Sequence, residues 1–352
     1  MMAKRPLLES EKKVLCGIVR YPHLSDRELS RKLDMKKTTV TAIRRRLERD
    51  ENLKSVKIPS FEKLGFEMLV VAFGTLSSIP PFDEKISLTK PIVDRPEFIF
   101  ALVEPRQDMF IQVSKNYTEA MANIQALEEK YREKDYLEGS FHVALFPFDL
   151  SEVVNFFDFY PFLHRMFWSE RSPPREKPEL GKRCSTPLRR KEKIILRGMV
   201  ENPDLNDVQL AELLGISRMT IGKARRKFAE QGLVMNRRIP NLKDLGVELL
   251  VLTYGSFHPR LSEGLKYYVP TLLETAGTTF FSALNKNEAI GLSACSSYQE
   301  YKKQTDVLAE AYKEQEIFSR PPRRILFSLA GARVLKDHEY GPLLASSFHS
   351  ES

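Results

Sequence analysis

The sequence is poor in the residues that build disulfide frameworks and metal sites. Its 352 residues include three cysteines, Cys16, Cys184 and Cys295, and six histidines, and both kinds are scattered along the chain. Single, widely spaced thiols and imidazoles exclude a disulfide scaffold and a thiolate metal site, so we expect no metal and no cofactor. Unpaired cysteines are typical of proteins in a reducing compartment, which predicts a cytoplasmic location.

Long apolar runs are missing as well. No stretch approaches the roughly 18 consecutive apolar residues that a membrane-spanning helix requires. Residues 1–8 are not followed by the apolar core and small-residue cleavage site of a secretory signal. We also find no nucleotide-binding loop and no paired-carboxylate site. We therefore expect no membrane partner and a protein that is not an enzyme.

The positive charge of the chain is unevenly distributed. The net charge is +8, yet residues 1–60 alone carry +8 and residues 61–164 carry −8. Residues 165–193 carry +6 and residues 194–240 carry +3. This pattern predicts either a polyanionic partner for the basic segments or a solvated basic face without a partner.

The chain is an internal duplication. Shifting the sequence by 181 residues aligns its two halves without gaps, with about 20 identities over 66 positions. Examples are Gly17 with Gly198, Pro22 with Pro203, and Gly74 with Gly255. Later matches such as Tyr131 with Tyr312 and Phe167 with Phe348 indicate that the whole unit was copied.

Each copy begins with a predicted trihelical segment. In the first copy Val14, Ile18 and Val19 share a helical face, and the sequence from Ser25 to Glu28 has the form of a capping box for a second helix. A third helix is predicted from Lys37 to about Glu51, and its counterpart from Ser217 to Gln231 ends at Gly232. Three short helices with a tight turn before the last are typical of a helix-turn-helix.

A basic stretch with β character follows each trihelical segment and predicts a short hairpin wing at residues 53–59 and 233–240. In a winged helix-turn-helix the third helix enters the major groove of DNA, where Arg, Lys and Thr contact bases and phosphates. The candidate DNA-binding residues are Lys36, Lys37, Thr38, Thr39, Thr41, Arg45, Arg46, Arg49, Lys57, Ser217, Arg218, Thr220, Lys223, Arg226, Lys227, Arg237 and Arg238. The alternative for any of them is a solvated surface charge, and Arg44 and Arg225 are equally suited to intramolecular ion pairs.

The remainder of each copy predicts the order β-α-β-β-α-β of a ferredoxin-like domain. In the first copy a buried strand over residues 66–76 is followed by a helix near 83–94, strands at 98–103 and 109–113, an amphipathic helix over 117–136 and a strand at 141–148. An aromatic stretch at 153–168 has no place in this plan. Its pattern favours a core or interface helix over an aromatic ligand site.

The predicted fold class is therefore α+β, with two repeats of a winged helix-turn-helix followed by a βαββαβ domain. We assign residues 8–60 and 191–241 to the winged helices, 61–167 and 242–348 to the ferredoxin-like domains, and 168–190 to a flexible linker rich in proline and charge.

This architecture resembles the Lrp/AsnC family of bacterial and archaeal transcription regulators. The resemblance rests on the capped second helix, the third helix ending in LERDENL or FAEQGL, the Ile-Pro after the wing and the Leu-Gly before the first strand. It implies sequence-specific binding to double-stranded DNA. It also implies a C-terminal domain that mediates dimerisation and often binds amino acids or similar effectors.

Two departures from that family alter what we expect. The chain is a tandem fusion, so one chain could form an intrachain pseudo-dimer whose two different third helices contact two different half-sites; a homodimer of the chain is a second possibility. The turns at residues 104–108 and 285–288 lack glycine, which speaks against an amino-acid effector and leaves any small-molecule effector unidentified.

Two alternatives come from other classes of protein. The same architecture resembles siroheme decarboxylases, enzymes that need His and Arg side chains at a cavity; the sheet region of the first copy offers His142 and Arg106, and we find no matching His in the second. The other alternative is a module that uses its basic helices to bind protein or RNA.

Overall fold

The structure, a computed structural model, describes residues 6–50, 52–137, 139–169, 180, 186–260, 278–314 and 316–349. Most of the predicted linker, residues 170–179 and 181–185, lies outside this part of the chain.

The first repeat contains α1 (Glu9–Arg20), α2 (Asp26–Leu33), α3 (Lys37–Arg49), β1 (Leu53–Pro59), β2 (Met68–Thr75), α4 (Phe82–Val93), β3 (Phe98–Val103), β4 (Gln107–Ser114), α5 (Tyr117–Arg132), β5 (His142–Pro147), β6 (Ser151–Phe156) and α6 (Tyr160–Trp168). The second contains α7 (Arg190–Glu201), α8 (Asp207–Leu214), α9 (Arg218–Glu230), β7 (Val234–Pro240), β8 (Leu249–Ser256), β9 (Thr279–Asn285), β10 (Glu288–Cys295), α10 (Tyr298–Glu314), β11 (Arg323–Ser328), β12 (Arg333–Asp337) and α11 (Gly341–His349).

The short second helix of each copy begins where the sequence predicts. At α2 the Ser25 backbone N–H donates to Glu28 Oε2 at 2.9 Å, and the Ser25 hydroxyl accepts from the Glu28 backbone N–H, which completes the capping box. At α8 the Asn206 Oδ1 accepts from the backbone N–H groups of Val208 and Gln209. Gly215 ends α8 in the left-handed conformation with φ +63°, which glycine adopts without strain.

The two trihelical segments pack in the same way. Val40, Ile43 and Leu47 are buried on α3, and Ile221, Ala224 and Phe228 are buried on α9. Gly17 lets the side chains of Leu29 and Leu33 approach α1, and Gly198 does the same for Leu210 and Leu214. The predicted helix-turn-helix segments are thus present in both repeats.

The strands of the two repeats form two five-stranded sheets. Residues 261–277, between β8 and β9, lie outside the described part of the chain. One sheet has the order β12-β3-β4-β2-β5 and the other β11-β8-β10-β9-β6. In each sheet the four strands of one repeat follow the ferredoxin-like order, and the fifth strand comes from the other repeat. The predicted α+β fold class with two such repeats is confirmed.

Two segments differ from the sequence prediction. The predicted wings are single strands, β1 and β7, that pair with each other in a two-stranded sheet instead of folding into separate hairpins. The aromatic stretch at 153–168 begins as strand β6, and only its second part is the helix α6. In both cases the hydrogen-bonding partner is distant in sequence, so local periodicity does not reveal it.

The chain divides into two compact units that do not follow the order of the repeats. The first unit contains residues 1–56, 153–179 and 236–330, and the second contains 57–152, 180–235 and 331–352. In the first unit the trihelical segment of repeat 1 is therefore grouped with the sheet of repeat 2, and in the second unit the assignment is reversed. The domain boundaries given by repeat stay a prediction.

Candidate active site

The sheet domain of repeat 1 contains a buried polar cluster formed by Lys85, Thr89, Asp108 and Tyr131. Lys85 Nζ lies 2.7 Å from Asp108 Oδ1, and both side chains are completely buried. The Tyr131 hydroxyl donates to Asp108 Oδ2 at 2.9 Å and lies 2.6 Å from Thr89 Oγ1. The Tyr131 hydroxyl therefore has hydrogen-bond partners although it is buried.

Burial also shifts the ionisation of this cluster. Desolvation raises the pKa of Asp108 to about 6, although the neighbouring Lys85 ammonium opposes that rise. Desolvation lowers the pKa of Lys85, with Asp108 acting in the opposite direction. The pKa of the Tyr131 phenol is raised by burial and by the Asp108 carboxylate, so this phenol stays protonated.

Repeat 2 keeps the phenol but not its partners. The 181-residue offset matches Tyr131 with Tyr312, Asp108 with Ala289 and Thr89 with Pro270. Lys266, which the offset matches with Lys85, lies outside the described residues. Within the described part of the chain the Tyr312 hydroxyl is buried and has no hydrogen-bond partner.

Tyr312 lines a cavity of about 540 Å³ in the first compact unit, which we call the Tyr312 cavity. Its wall is mostly apolar, with Phe318, Pro321 and Pro322 among its lining, and charged side chains are set into it. The side chains relevant to chemistry are His258, Tyr312, Lys313, Glu316, Arg320 and Arg324. A volume of this size is within the roughly 300–1,000 Å³ range of small-molecule sites.

The aromatic floor of the cavity is held by close packing on β8. The Phe318 ring stacks on Phe257 with 5.6 Å between centroids and meets Tyr312 edge-on at 4.9 Å. A Cβ at Gly255 would lie 2.6 Å from the Phe318 ring, so only glycine permits this approach. Gly74 has the same relation to Phe141 in repeat 1, at 2.7 Å.

His258 is oriented by the backbone at the end of β8. The His258 backbone N–H donates to the Ile317 carbonyl at 2.9 Å. The Nδ1 of the His258 ring accepts from the Arg260 backbone N–H at 3.2 Å. Because a backbone amide can only donate, Nδ1 carries no proton in this arrangement, and a neutral His258 ring holds its proton on Nε2.

The cationic groups of the cavity favour anions. Burial raises the pKa of the Tyr312 phenol to about 12, while the Arg324 guanidinium acts to lower it. The phenol is therefore protonated at neutral pH and can donate a hydrogen bond. Among the described residues neither Arg320 nor Arg324 forms an ion pair, which leaves both guanidinium groups able to bind a carboxylate.

The sequence did not single out these residues. Of the two groups it proposed for enzyme chemistry, His142 packs against Phe73 with 4.9 Å between ring centroids, and Arg106 lies in the exposed turn between β3 and β4. His258 was missed because the offset matches it with Ser77 rather than with a histidine. A comparison of the two repeats for charge-changing positions would have found His258 and Arg324, which replaces Val143.

The candidate DNA-binding residues fall into two groups. Exposed side chains on the third helices and at their N-termini are Lys36, Lys37, Thr38, Thr39, Arg45, Arg49, Ser217, Arg218, Lys223 and Arg226. Arg49 also pairs with Asp50, and the Ser217 hydroxyl caps α9 and lies 2.8 Å from the Thr220 hydroxyl. The exposed set presents seven basic side chains in all.

The other candidates are held by intramolecular contacts. The Thr41 hydroxyl donates to Asp26 at 2.6 Å, Arg46 pairs with Glu11, and Lys227 pairs with Glu192 at 2.7 Å. The buried Lys57 donates to the Pro203 carbonyl, Arg237 to the Phe156 carbonyl at 3.2 Å, and Arg238 to the Ser55 hydroxyl. Arg44 and Arg225 form ion pairs with Asp26 and Asp207, one of the two alternatives for these residues.

The described residues contain neither a metal-binding cluster nor a membrane-spanning helix. No group of three or more His, Cys, Asp or Glu side chains there is arranged to hold a metal ion. Within the same part of the chain, no helix is both long and apolar enough to cross a membrane.

Comparison with known proteins gave matches among solved structures only. No family model and no curated protein matches the chain. The structure of the siroheme decarboxylase NirDL matches with a TM-score of 0.53 and 12% identity, covering 97% of this chain and 99% of that one. The same enzyme in complex with an iron-uroporphyrin III analogue matches with a TM-score of 0.53 and 11% identity over 98% and 100%. An AsnC family transcriptional regulator from Agrobacterium tumefaciens matches 40% of this chain at 16% identity and a TM-score of 0.33.

These matches concern the fold, and they correct one expectation. The two full-length matches extend over both repeats. The prediction that the chain is not an enzyme is contradicted by the full-length matches, because both are structures of an enzyme, a siroheme decarboxylase. The inference failed because the absence of a known catalytic motif does not exclude a site assembled from distant segments.

Proposed function

We propose that this protein is an enzyme that binds a tetrapyrrole and removes CO₂ from one of its carboxylate side chains. The observation that carries the proposal is the Tyr312 cavity, which combines two guanidinium groups with a protonated phenol and an imidazole. The full-length likeness to a siroheme decarboxylase supports the same class of substrate.

Decarboxylation makes two demands on an active site. The bond between the side-chain carbon and the carboxyl carbon breaks, CO₂ leaves, and the electron pair left on carbon takes up one proton. The protein must therefore hold a carboxylate and place a proton donor beside the carbon that is released. No oxidant or reductant enters this balance.

The residues of the Tyr312 cavity meet these demands in separate roles. Arg320 and Arg324 bind carboxylates of the substrate through paired N–H donors. His258 donates its Nε2 proton to carbon, because its Nδ1 is occupied by the Arg260 backbone N–H. Tyr312 donates a hydrogen bond from a phenol whose raised pKa keeps it protonated.

The test combines a binding measurement with an activity measurement. The purified chain is titrated with iron-uroporphyrin III and followed by the change in the porphyrin absorption band. It is then incubated with siroheme, and products are analysed by mass spectrometry for the loss of one or more CO₂. We expect saturable binding and decarboxylated product from the native protein.

Matched variants separate the proposed roles. Arg324→Gln is expected to weaken porphyrin binding on the order of tenfold, as the loss of one charge-assisted hydrogen bond predicts. His258→Gln is expected to retain binding and to lose turnover. Arg323→Gln is the control, because Arg323 lies next to Arg324 on β11 and projects to the opposite face of the sheet. Absence of porphyrin binding by the native protein would refute the proposal.

A second function, binding of double-stranded DNA by the third helices, is favoured by a separate observation. The basic side chains Lys36, Lys37 and Arg45 of the first repeat and Arg218, Lys223 and Arg226 of the second are all exposed. Helices of this kind contact bases and phosphates in the major groove. A regulator of this kind would bind two different half-sites with one chain, and it would act in the cytoplasm.

The DNA proposal is tested by electrophoretic mobility shifts with double-stranded DNA, with RNA as competitor. Lys37→Gln and Arg218→Gln are expected to weaken binding and to lower its dependence on salt, since each removes about one phosphate contact. Arg44→Gln, whose side chain is paired with Asp26, is the comparison that should leave the salt dependence unchanged. Equal competition by RNA, or a footprint of perfect palindromy from one chain, would contradict the proposal.

A further inference from the structure

A second cavity, of about 440 Å³, lies in the first compact unit between α1 and α6, and we call it the α1–α6 cleft. Its volume is within the range of small-molecule sites. Three basic side chains and three large aromatic side chains dominate its wall: Lys13, Arg20, Lys32, Tyr21, Tyr160 and Trp168. The described lining contains no carboxylate.

The cationic groups of this cleft are held in place by its aromatic groups. The Arg20 guanidinium carbon lies 4.6 Å from the centroid of the Tyr160 ring, and Arg20 Nη1 donates to the Tyr160 hydroxyl at 2.7 Å. Lys32 Nζ lies 4.5 Å from the centroid of the Tyr21 ring. One of the five N–H donors of Arg20 makes the bond to Tyr160, so others are available to a ligand.

Repeat 2 has no such arrangement. The 181-residue offset matches Lys13 with Ile194, Arg20 with Glu201, Tyr21 with Asn202, Lys32 with Leu213 and Tyr160 with Gly341. A Cβ at Gly341 would lie 2.4 Å from Glu201 Cγ, so α11 approaches α7 too closely for a tyrosine. Charge and aromatic character thus differ between the repeats at the same places, although Lys12 with Phe167 and Lys193 with Phe348 make matching contacts.

We propose that the α1–α6 cleft binds a planar aromatic carboxylate. Arg20, Lys13 and Lys32 supply the positive charge that a carboxylate requires, and the rings of Tyr21, Tyr160 and Trp168 supply flat surfaces for an aromatic ring. The cleft touches the end of α2 through Lys32 and Leu33, so the ligand contacts the helix-turn-helix directly. This site is separate from the Tyr312 cavity and shares no residue with it.

The chain provides its own reporter for this site. Trp168 is the only tryptophan of the sequence, and it lines the cleft. The probe is 4-nitrobenzoate, a planar aromatic carboxylate whose nitro group quenches tryptophan fluorescence. Nitrobenzene has the same ring without the charge and serves as the matched control ligand. We expect saturable quenching by 4-nitrobenzoate and only linear, collisional quenching by nitrobenzene.

Three variants test the residues. Arg20→Gln is expected to raise the Kd for 4-nitrobenzoate on the order of tenfold or more, which corresponds to one charge-assisted hydrogen bond. The double variant Lys13→Ile and Lys32→Leu introduces the residues of repeat 2 at two exposed positions. It removes two positive charges and should also raise the Kd above that of the native protein. Lys191→Gln, which changes an exposed lysine of α7 outside the cleft, removes a charge and should leave the Kd unchanged.

The outcomes separate this proposal from the decarboxylase. A Tyr312→Phe variant should retain the quenching by 4-nitrobenzoate whether or not the Tyr312 cavity binds a porphyrin. Equal quenching by nitrobenzene, quenching that does not saturate, or an unchanged Kd in both cleft variants would overturn the proposal.

Discussion

The buried pair of Lys85 and Asp108 allows a quantitative test of how repeat 1 is stabilised. Replacing Asp108 with alanine, the residue that repeat 2 carries at position 289, leaves Lys85 Nζ buried without its carboxylate and removes the acceptor of the Tyr131 hydroxyl. Removing one partner of a buried ion pair costs about 3–5 kcal/mol, because the remaining charge is not compensated. We therefore expect Asp108→Ala to lower the free energy of unfolding by about that amount.

The double variant Lys85→Met and Asp108→Ala distinguishes the pair from its separate members. Replacement of both partners by apolar groups is often neutral, so the double variant should recover most of the loss. The assay is thermal unfolding, in which about 3–5 kcal/mol corresponds to a decrease in Tm of roughly 6–20 °C for a unit of this size. Glu133→Ala is the control, since Lys130 and Glu133 form an exposed pair worth about 0–1 kcal/mol. If the double variant is as unstable as Asp108→Ala alone, the reasoning is refuted.

Three further predictions concern other buried groups. The pKa of Asp108 is about 6 in the folded chain against an ordinary 3.8, so the folded state binds this proton more tightly than the unfolded state. The stability gained from binding this proton is complete below about pH 4 and is lost as the pH rises through about 6, while the pair with Lys85 persists above that pH. The free energy of unfolding of the native protein minus that of Asp108→Asn should fall over this window, and a difference that is constant with pH would contradict the prediction. Gly255→Ala should cost about 1–3 kcal/mol in denaturant unfolding, because its Cβ would meet the Phe318 ring, whereas Gly139→Ala, with open space around it, should be neutral. Burial raises the pKa of the Cys295 thiol to about 12 and raises that of Cys16 as well, so in a Cys184→Ser variant an aromatic disulfide reagent at pH 8 should modify neither thiol until the protein unfolds.

The sequence predicted the elements whose signals are local. The capping boxes at Ser25 and Asn206, the left-handed glycine at Gly215 and the apolar run of β2 each depend on residues a few positions apart. Because the sequence is duplicated, the helices and strands are predicted in both copies, and the agreement between the copies supports both predictions. The order of the βαββαβ elements followed from the same patterns.

Partners that lie far apart in sequence could not be predicted in this way. The pairing of β1 with β7 and the fifth strand of each sheet join segments of different repeats, and alternation along a strand does not specify its neighbour. The Tyr312 cavity is assembled from the end of β8, the end of α10 and the start of β11. In the sequence, this cavity is marked by positions at which the two repeats differ, Ala289, His258 and Arg324. The predictions from the duplication used the positions at which the repeats are identical.

The fifth strands have a consequence for how the two repeats could evolve. Because β12 belongs to the sheet of repeat 1 and β6 to the sheet of repeat 2, each half of the gene encodes an edge that the other half needs. A gene divided between the repeats would yield two polypeptides that must be made together, each exposing an unpaired strand edge until it met the other. After the fusion, neither copy could be lost or exchanged alone. A substitution in β6 or β12 would have to remain compatible with the sheet of the other repeat.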